Sequence, residues 1–156
     1  MSICDQIVVM KDGVLQQIGK PQDVYDDPVN LFVATFLGNP PINVFDAEVQ
    51  DGKLWIGKEA VLETNAKNGP VTVAIRPEGF VPDENGGMSC CLRSIEVMGR
   101  DVSVVCDHES FTGETFRAIV DSDDLPKLTS NTVRFRLKEN KVFLFNRETG
   151  ERIALR

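Results

Sequence analysis

Residues 5–36 read Asp-Gln-Ile-Val-Val-Met-Lys-Asp-Gly-Val-Leu-Gln-Gln-Ile-Gly-Lys-Pro-Gln-Asp-Val-Tyr-Asp-Asp-Pro-Val-Asn-Leu-Phe-Val-Ala-Thr-Phe, and this stretch decides how the rest is taken. Ile7 to Met10 and Val14 to Ile18 are apolar, β-branched-rich runs joined through Lys11-Asp12-Gly13. Asp-Gly between such runs predicts a two-stranded hairpin, because glycine accepts the positive φ of a tight turn. Gly19-Lys20-Pro21 stops the second strand. Pro21 stands where a first helical residue loses nothing by lacking an N–H, and Asp23 suits the positive end of a helix, so a short helix is expected through Tyr25. Asp27 before Pro28 repeats the arrangement, an N-cap followed by proline. Phe32, Val33, Phe36 and Leu37 then share one face of a second short helix that Gly38 ends.

Beyond it, Gly38-Asn39-Pro40-Pro41 breaks the pattern, since two consecutive prolines hold the backbone extended. The domain boundary is placed there, dividing residues 1–38 from residues 39–156. The period then changes from helical to two. Val44 to Val49 and Lys53 to Ile56 flank an Asp51-Gly52 turn, and Val71, Val73 and Ile75 alternate with Thr72 and Ala74 up to Arg76-Pro77-Glu78. Pro82 to Gly87 reads as a polar loop. Strands are expected at Cys91 to Met98, Asp101 to Cys106, Phe116 to Asp121 and Val133 to Leu137, with a last one at Val142 to Phe145. Asp121 to Pro126 reads as an acidic turn. Short strands at this spacing predict a mainly β fold, a small antiparallel barrel or sandwich, because closure removes exposed edges.

The opening stretch, from Cys4 to Pro40, resembles a known family. Cys4-Asp5-x-Ile7-Val8-Val9-Met10-x-x-Gly13, then Gln17-x-Gly19-x-Pro21-x-x-Val24-Tyr25, then Pro28-x-x-x-Phe32-Val33-Ala34-x-Phe36-Leu37-Gly38-x-Pro40, is similar to the end of the ATPase domain in carbohydrate-type ABC importers, the family of the maltose-transporter ATPase subunit. In that family the run just upstream carries the switch histidine, and Met1 would align with its closing methionine. The resemblance continues more loosely into the small OB-like regulatory domain called TOBE. Ile75-Arg76-Pro77-Glu78 looks like its strand end, Ile95-Glu96-Val97-Met98-Gly99 its turn, and Val142-Phe143-Leu144-Phe145 its final strand. Gly79 and Phe143 depart from the pattern. The resemblance implies an OB-like barrel in which Arg76, Pro77, Glu78, Glu96, Gly99 and Phe145 are structural or regulatory positions.

At 156 residues the chain suits one ordinary domain or a small domain with an appendage. Its formal charge of −7 opposes nucleic acid and anionic membrane surfaces. Cys4, Cys90, Cys91 and Cys106 lack metal spacing and read as reduced thiols. No apolar run is long enough to span a bilayer. Gly52-Lys53-Leu54-Trp55-Ile56-Gly57-Lys58 has the spacing of a phosphate-binding loop, but Glu59 stands where a hydroxyl should meet Mg²⁺, and Leu-Trp-Ile favours a strand. Cys106-Asp107-His108-Glu109 groups metal-ligand types, yet neighbours on a strand point to opposite faces, so it reads as a solvated turn. His108 is the only histidine, which removes the usual nucleophile pairs. Arg76 and Glu78 read as a surface ion pair or a barrel corner. Trp55 opposes Leu54 and Ile56 and sits either at an interface or under Ala60 to Leu62.

No catalytic, cofactor-binding or metal site is therefore expected in this chain. By resemblance the complete subunit binds ATP and Mg²⁺ and works as a homodimer on transmembrane permease subunits, at the inner face of the membrane in the cytoplasm. This part, joined in cis to the ATPase domain, would hold the dimer together and receive regulatory signals, from a regulatory protein among others. The alternative is an oxyanion-sensing barrel of a related importer ATPase. The opening hairpin, parted from the strands of the ATPase sheet it would normally lie beside, is expected to be either mobile or used in a contact, an exchanged one included, that the intact subunit does not make.

Overall fold

A computed structural model describes residues 6–38 and 40–155, so the expectations that fall on Met1, Cys4, Asp5 and Asn39 lie outside the described residues. Strands β1 (Ile7–Lys11) and β2 (Val14–Gly19) pair antiparallel, with Lys11 opposite Val14. Asp12 at φ 51° and Gly13 at φ 79° make the turn, both in the left-handed region that a two-residue hairpin requires. Helix α1 (Pro21–Asp26) opens with Pro21 and carries Asp23 in its first turn. Helix α2 (Leu31–Phe36) departs from the sequence reading. Its N-cap is Asn30, whose side-chain oxygen accepts from the Val33 N–H at 2.9 Å. Pro28 lies outside the helix, and the Asp27 carboxylate turns instead to Arg152, 2.9 Å away. Val33 and Ala34 are buried while Phe36 is 57% exposed, so the buried stripe is narrower than the face read from the sequence.

The remainder is antiparallel β-structure: β3 (Asn43–Gln50), β4 (Lys53–Ile56), β5 (Glu59–Glu63), β6 (Gly69–Ile75), β7 (Phe80–Pro82), β8 (Met88–Met98), β9 (Asp101–Asp107), β10 (Phe116–Asp121), β11 (Thr132–Leu137), β12 (Val142–Asn146) and β13 (Arg152–Ile153). A five-stranded sheet runs β10-β9-β8-β11-β7, and a six-stranded sheet runs β13-β12-β6-β3-β4-β5. The five-stranded sheet curls until its outer strands meet, with Phe80 at the start of β7 stacked on Phe116 at the start of β10, centroids 5.3 Å apart. This is the small, nearly closed OB-like barrel. Phe45, Val49, Leu54, Val73 and Leu144 of the six-stranded sheet share its core with Met88, Val104 and Phe135.

Three strands escaped the period-two reading. β5 is half-buried along most of its length and shows no alternation, β7 has three residues and β13 two, so Val142 to Phe145 is not the last strand. Strand β12 explains its unbroken apolar run. Val142 and Leu144 enter the barrel core, while Phe143 and Phe145 point to the opposite face and pack with Ala34, Ile42 and Ala74. A strand buried on both faces loses alternation. What covers that outer face is α2.

Candidate functional site: the joint between helices and barrel

Arg76 follows β6 at the point where Pro77 ends the ladder and a 3₁₀ turn (Pro77–Gly79) begins. The side chain is fully buried. Its Nη1 donates to the carbonyls of Ala34 at 3.0 Å and Leu37 at 2.9 Å, and its Nη2 donates to the carbonyl of Tyr25 at 2.9 Å. These are carbonyls at the C-terminal ends of α1 and α2, groups that the helices cannot satisfy themselves and toward which a cation is favoured. The guanidinium also lies 3.9 Å from the centre of the Tyr25 ring. The Tyr25 hydroxyl in turn contacts both Glu78 carboxylate oxygens, at 2.8 and 2.9 Å. Burial pushes the Tyr25 phenol above its ordinary pKa, and the hydrogen bond and charge of Glu78 add to it. Burial also pulls Arg76 down, opposed by Tyr25 and Glu78. The surface ion pair between Arg76 and Glu78 is thereby corrected: Arg76 is spent on helix carbonyls, and Tyr25 holds Glu78.

A second arginine works at the other end of the joint. Arg152 Nη1 donates to the Asp27 carboxylate at 2.9 Å and to the Pro28 carbonyl at 2.8 Å, and its guanidinium lies 4.7 Å from the Phe143 ring centre. The Leu31 N–H donates to the Gly150 carbonyl at 2.9 Å. Of the six positions singled out in the sequence, Arg76, Pro77, Glu78 and Phe145 gather at or beside this joint. Glu96 and Gly99 do not. Glu96 is an exposed partner of Arg117 at 3.1 Å, and Gly99, at φ 66°, makes the β8–β9 turn with open space around it. Met98 and Asp101 on either side of that turn nevertheless line a groove of about 550 Å³ with Tyr25, Glu78 and Lys141. Sequence reasoning missed Tyr25, Lys141 and Arg152 as partners, since 51 residues separate Tyr25 from Arg76 and no periodicity links them.

A second concavity, of about 700 Å³, lies between the β4–β5 turn, the start of β8 and the end of β9. His108 borders it half-buried, edge-on to Phe45, with Nδ1 accepting from the Ser110 N–H at 3.0 Å. Burial lowers its pKa against the pull of Glu109. The run from Cys106 to Glu109 is thus only partly the solvated turn expected, because Cys106 is fully buried. Trp55 is half-buried, its Nε1 donating to the Gln50 carbonyl at 3.3 Å.

No family model matches the chain. Curated relatives do. Over 98% of this chain it is 30% identical to the sn-glycerol-3-phosphate import ATP-binding protein UgpC of Jannaschia sp. (strain CCS1), covering 43% of that protein. It is 36% identical over 99% of its length to the Fe(3+) ions import ATP-binding protein FbpC of Fusobacterium nucleatum, again covering 43% of the relative. It is 31% identical over 99% of its length to the diacetylchitobiose uptake system ATP-binding protein MsiK of Streptomyces coelicolor, covering 47% of it. The chain belongs to the ATP-binding subunits of ABC importers. It matches their C-terminal part and spans less than half the length of these relatives.

The Gly52 to Lys58 segment, with its phosphate-loop spacing, is a turn, strand β4 and the next turn. Leu54 and Ile56 are fully buried in the core, and the β4 backbone belongs to ladders with β3 and β5. Glu59 accepts from the Ser89 N–H at 2.8 Å and faces Arg134 at 3.3 Å, so no open amide cradle remains for a phosphate. Among the described residues no group of three His, Cys, Asp or Glu side chains could hold a metal ion, and no helix is long and apolar enough to cross a membrane.

Proposed function

We propose that this chain is the regulatory and dimerisation part of an ABC importer ATP-binding subunit that energises carbohydrate uptake, and that it does not itself hydrolyse ATP. The observation that carries the reading is the outer face of the opening hairpin. Val8 and Ile18 are cross-strand partners and 51% and 52% exposed, and Met10 and Leu15, also partners, are 52% and 55% exposed. Four large apolar side chains paired on an open face call for a covering surface. The ATPase domain in cis, with its ATP and Mg²⁺, is the proposed cover. Arg76 and Arg152 then bolt the same segment to the barrel, so that movement of the ATPase end carries the barrel with it. Barrels that remain paired in a homodimer keep two ATPase domains at high effective concentration while they open and close on permease subunits at the cytoplasmic face of the membrane. A regulatory protein would act by changing that pairing.

Sedimentation velocity of the chain tests the pairing, and a coupled phosphate-release assay tests the division of labour. The expected results are concentration-dependent self-association and no turnover. A monomer at every concentration removes the dimerisation role, and turnover that survives repurification removes the assignment of hydrolysis to the cis domain. The oxyanion-sensing alternative finds little support in the barrel cleft, whose lining carries more carboxylates than cations.

A further inference from the structure

We infer that the cleft between the β4–β5 turn and the end of β9 binds a small molecule through an alkylammonium group. This goes beyond the proposed dimerisation and does not depend on it. The cleft, at about 700 Å³, has the size of a small-molecule site. Its floor is formed by Cys91 of β8 and Thr132 of β11, which stand opposite each other across the sheet, while the neighbouring Cys90 side chain turns into the barrel core. The thiol of Cys91 and the hydroxyl of Thr132 make a weakly polar floor suited to a hydrocarbon stem.

The walls fix the charge of the ligand. Glu59 has both carboxylate oxygens engaged, one by the Ser89 N–H and one facing Arg134, and Asp107 is paired with Arg93. His108 accepts at Nδ1, so its ring proton sits on Nε2 and the neutral imidazole offers one donor. Among the described residues, three charged groups of the lining remain with no hydrogen bond or ion pair: Lys58, Glu109 and Glu114. Glu109 is held against the β4–β5 turn, where a Cβ on Gly57 would lie 3.1 Å from its Oε1 and 3.4 Å from His108 Cε1. The glycine leaves room for that carboxylate at the mouth. Two free carboxylates against one free ammonium repel phosphates and other oxyanions. A bare metal ion is equally unsuited, since no three ligand groups converge. What fits is an organic cation long enough to lie on the floor. Two sources share that chemistry: a free diamine, held by Glu109 and Glu114 alone, or a basic amino acid, whose carboxylate Lys58 would also meet.

Calorimetric titration of the full chain with 1,4-diaminobutane, L-lysine, the uncharged 1,4-butanediol, phosphate and molybdate separates these cases. Saturable heat is expected for one or both ammonium compounds and for none of the other three. Glu109→Gln and Glu114→Gln, isosteric changes at exposed positions, should each weaken binding about tenfold, the loss of one charge-assisted contact. Lys58→Ala should weaken L-lysine and leave 1,4-diaminobutane as tight or tighter, and that contrast names the source. Alkylation of the exposed Cys91, followed by peptide mass spectrometry, should slow at least threefold under saturating ligand. The inference is overturned if neither ammonium compound binds by ~10 mM, if an oxyanion binds more tightly, if both glutamine variants bind normally, or if Cys91 reacts at an unchanged rate.

Discussion

Replacing Arg76 with methionine removes the donor from three helix-end carbonyls at once while keeping most of the side-chain volume. Hydrogen bonds to a charged group contribute about 1.5–3 kcal/mol each, so the three contacts to Tyr25, Ala34 and Leu37 represent on the order of 5–9 kcal/mol gross. Two effects reduce this. The variant no longer holds a cation out of water, with its Nε lacking any partner, and the freed carbonyls at helix ends can turn toward solvent. A net loss of about 3–5 kcal/mol is expected, the usual cost of breaking a buried charged contact from one side. The loss should fall unevenly. Val9, Val24 and Val33 form a separate cluster of three buried residues, too small to hold the hairpin and helices in place without the joint. Urea unfolding followed through Trp55, the only tryptophan, reads the barrel, and amide exchange reads the segment. Arg76→Met should strip protection from amides of residues 7–36 well before those of β9 and β11. A change below about 1 kcal/mol, with exchange in the segment unaltered, would refute the view that Arg76 is what fastens it.

Tyr25 is the only tyrosine, so absorbance near the tyrosinate band reports it directly. Because burial raises its native pKa, the unfolded chain loses this proton first. Stability should therefore fall as the pH rises above about 10, and Tyr25→Phe should flatten that dependence. Gly86→Ala should destabilise by more than about 2 kcal/mol in thermal melts, because a Cβ there would lie 2.4 Å from the Phe135 carbonyl carbon and oxygen, backbone atoms that cannot swing aside. Among the described cysteines, Cys91 should take up a thiol reagent far faster than Cys90 or Cys106 in timed peptide maps. The latter two are buried, and desolvation pushes the Cys106 thiol up to about 12.

Where the sequence was legible, a local signal was present. The Asp12-Gly13 and Asp51-Gly52 turns follow from the left-handed backbone that a two-residue hairpin needs, and both pairs adopt it. The inward faces Val102, Val104, Cys106 and Val133, Phe135, Leu137 follow from alternation, and all six are buried. Legibility failed where a non-local partner overrode the local cue. Asp27 before Pro28 has every mark of a helix start, but Arg152, 125 residues away, claims its carboxylate, and Asn30 caps instead. Arg76 between a strand and a proline looks like a surface charge until the ends of two helices close over it. The cleft was illegible for the same reason, since Lys58, Cys91 and Glu109 come from three turns or strands that only the closed sheet brings around one space.

The doubly covered strand β12 has a practical meaning for anyone dissecting or grafting this protein. A barrel begun at Pro40 would carry Phe143, Phe145 and Ala74 on a naked sheet face, a greasy plate the size of a helix, and would stick to whatever it met. The helix pair is therefore part of the barrel's wrapping, and a transplant that leaves it behind takes only the inside of the object.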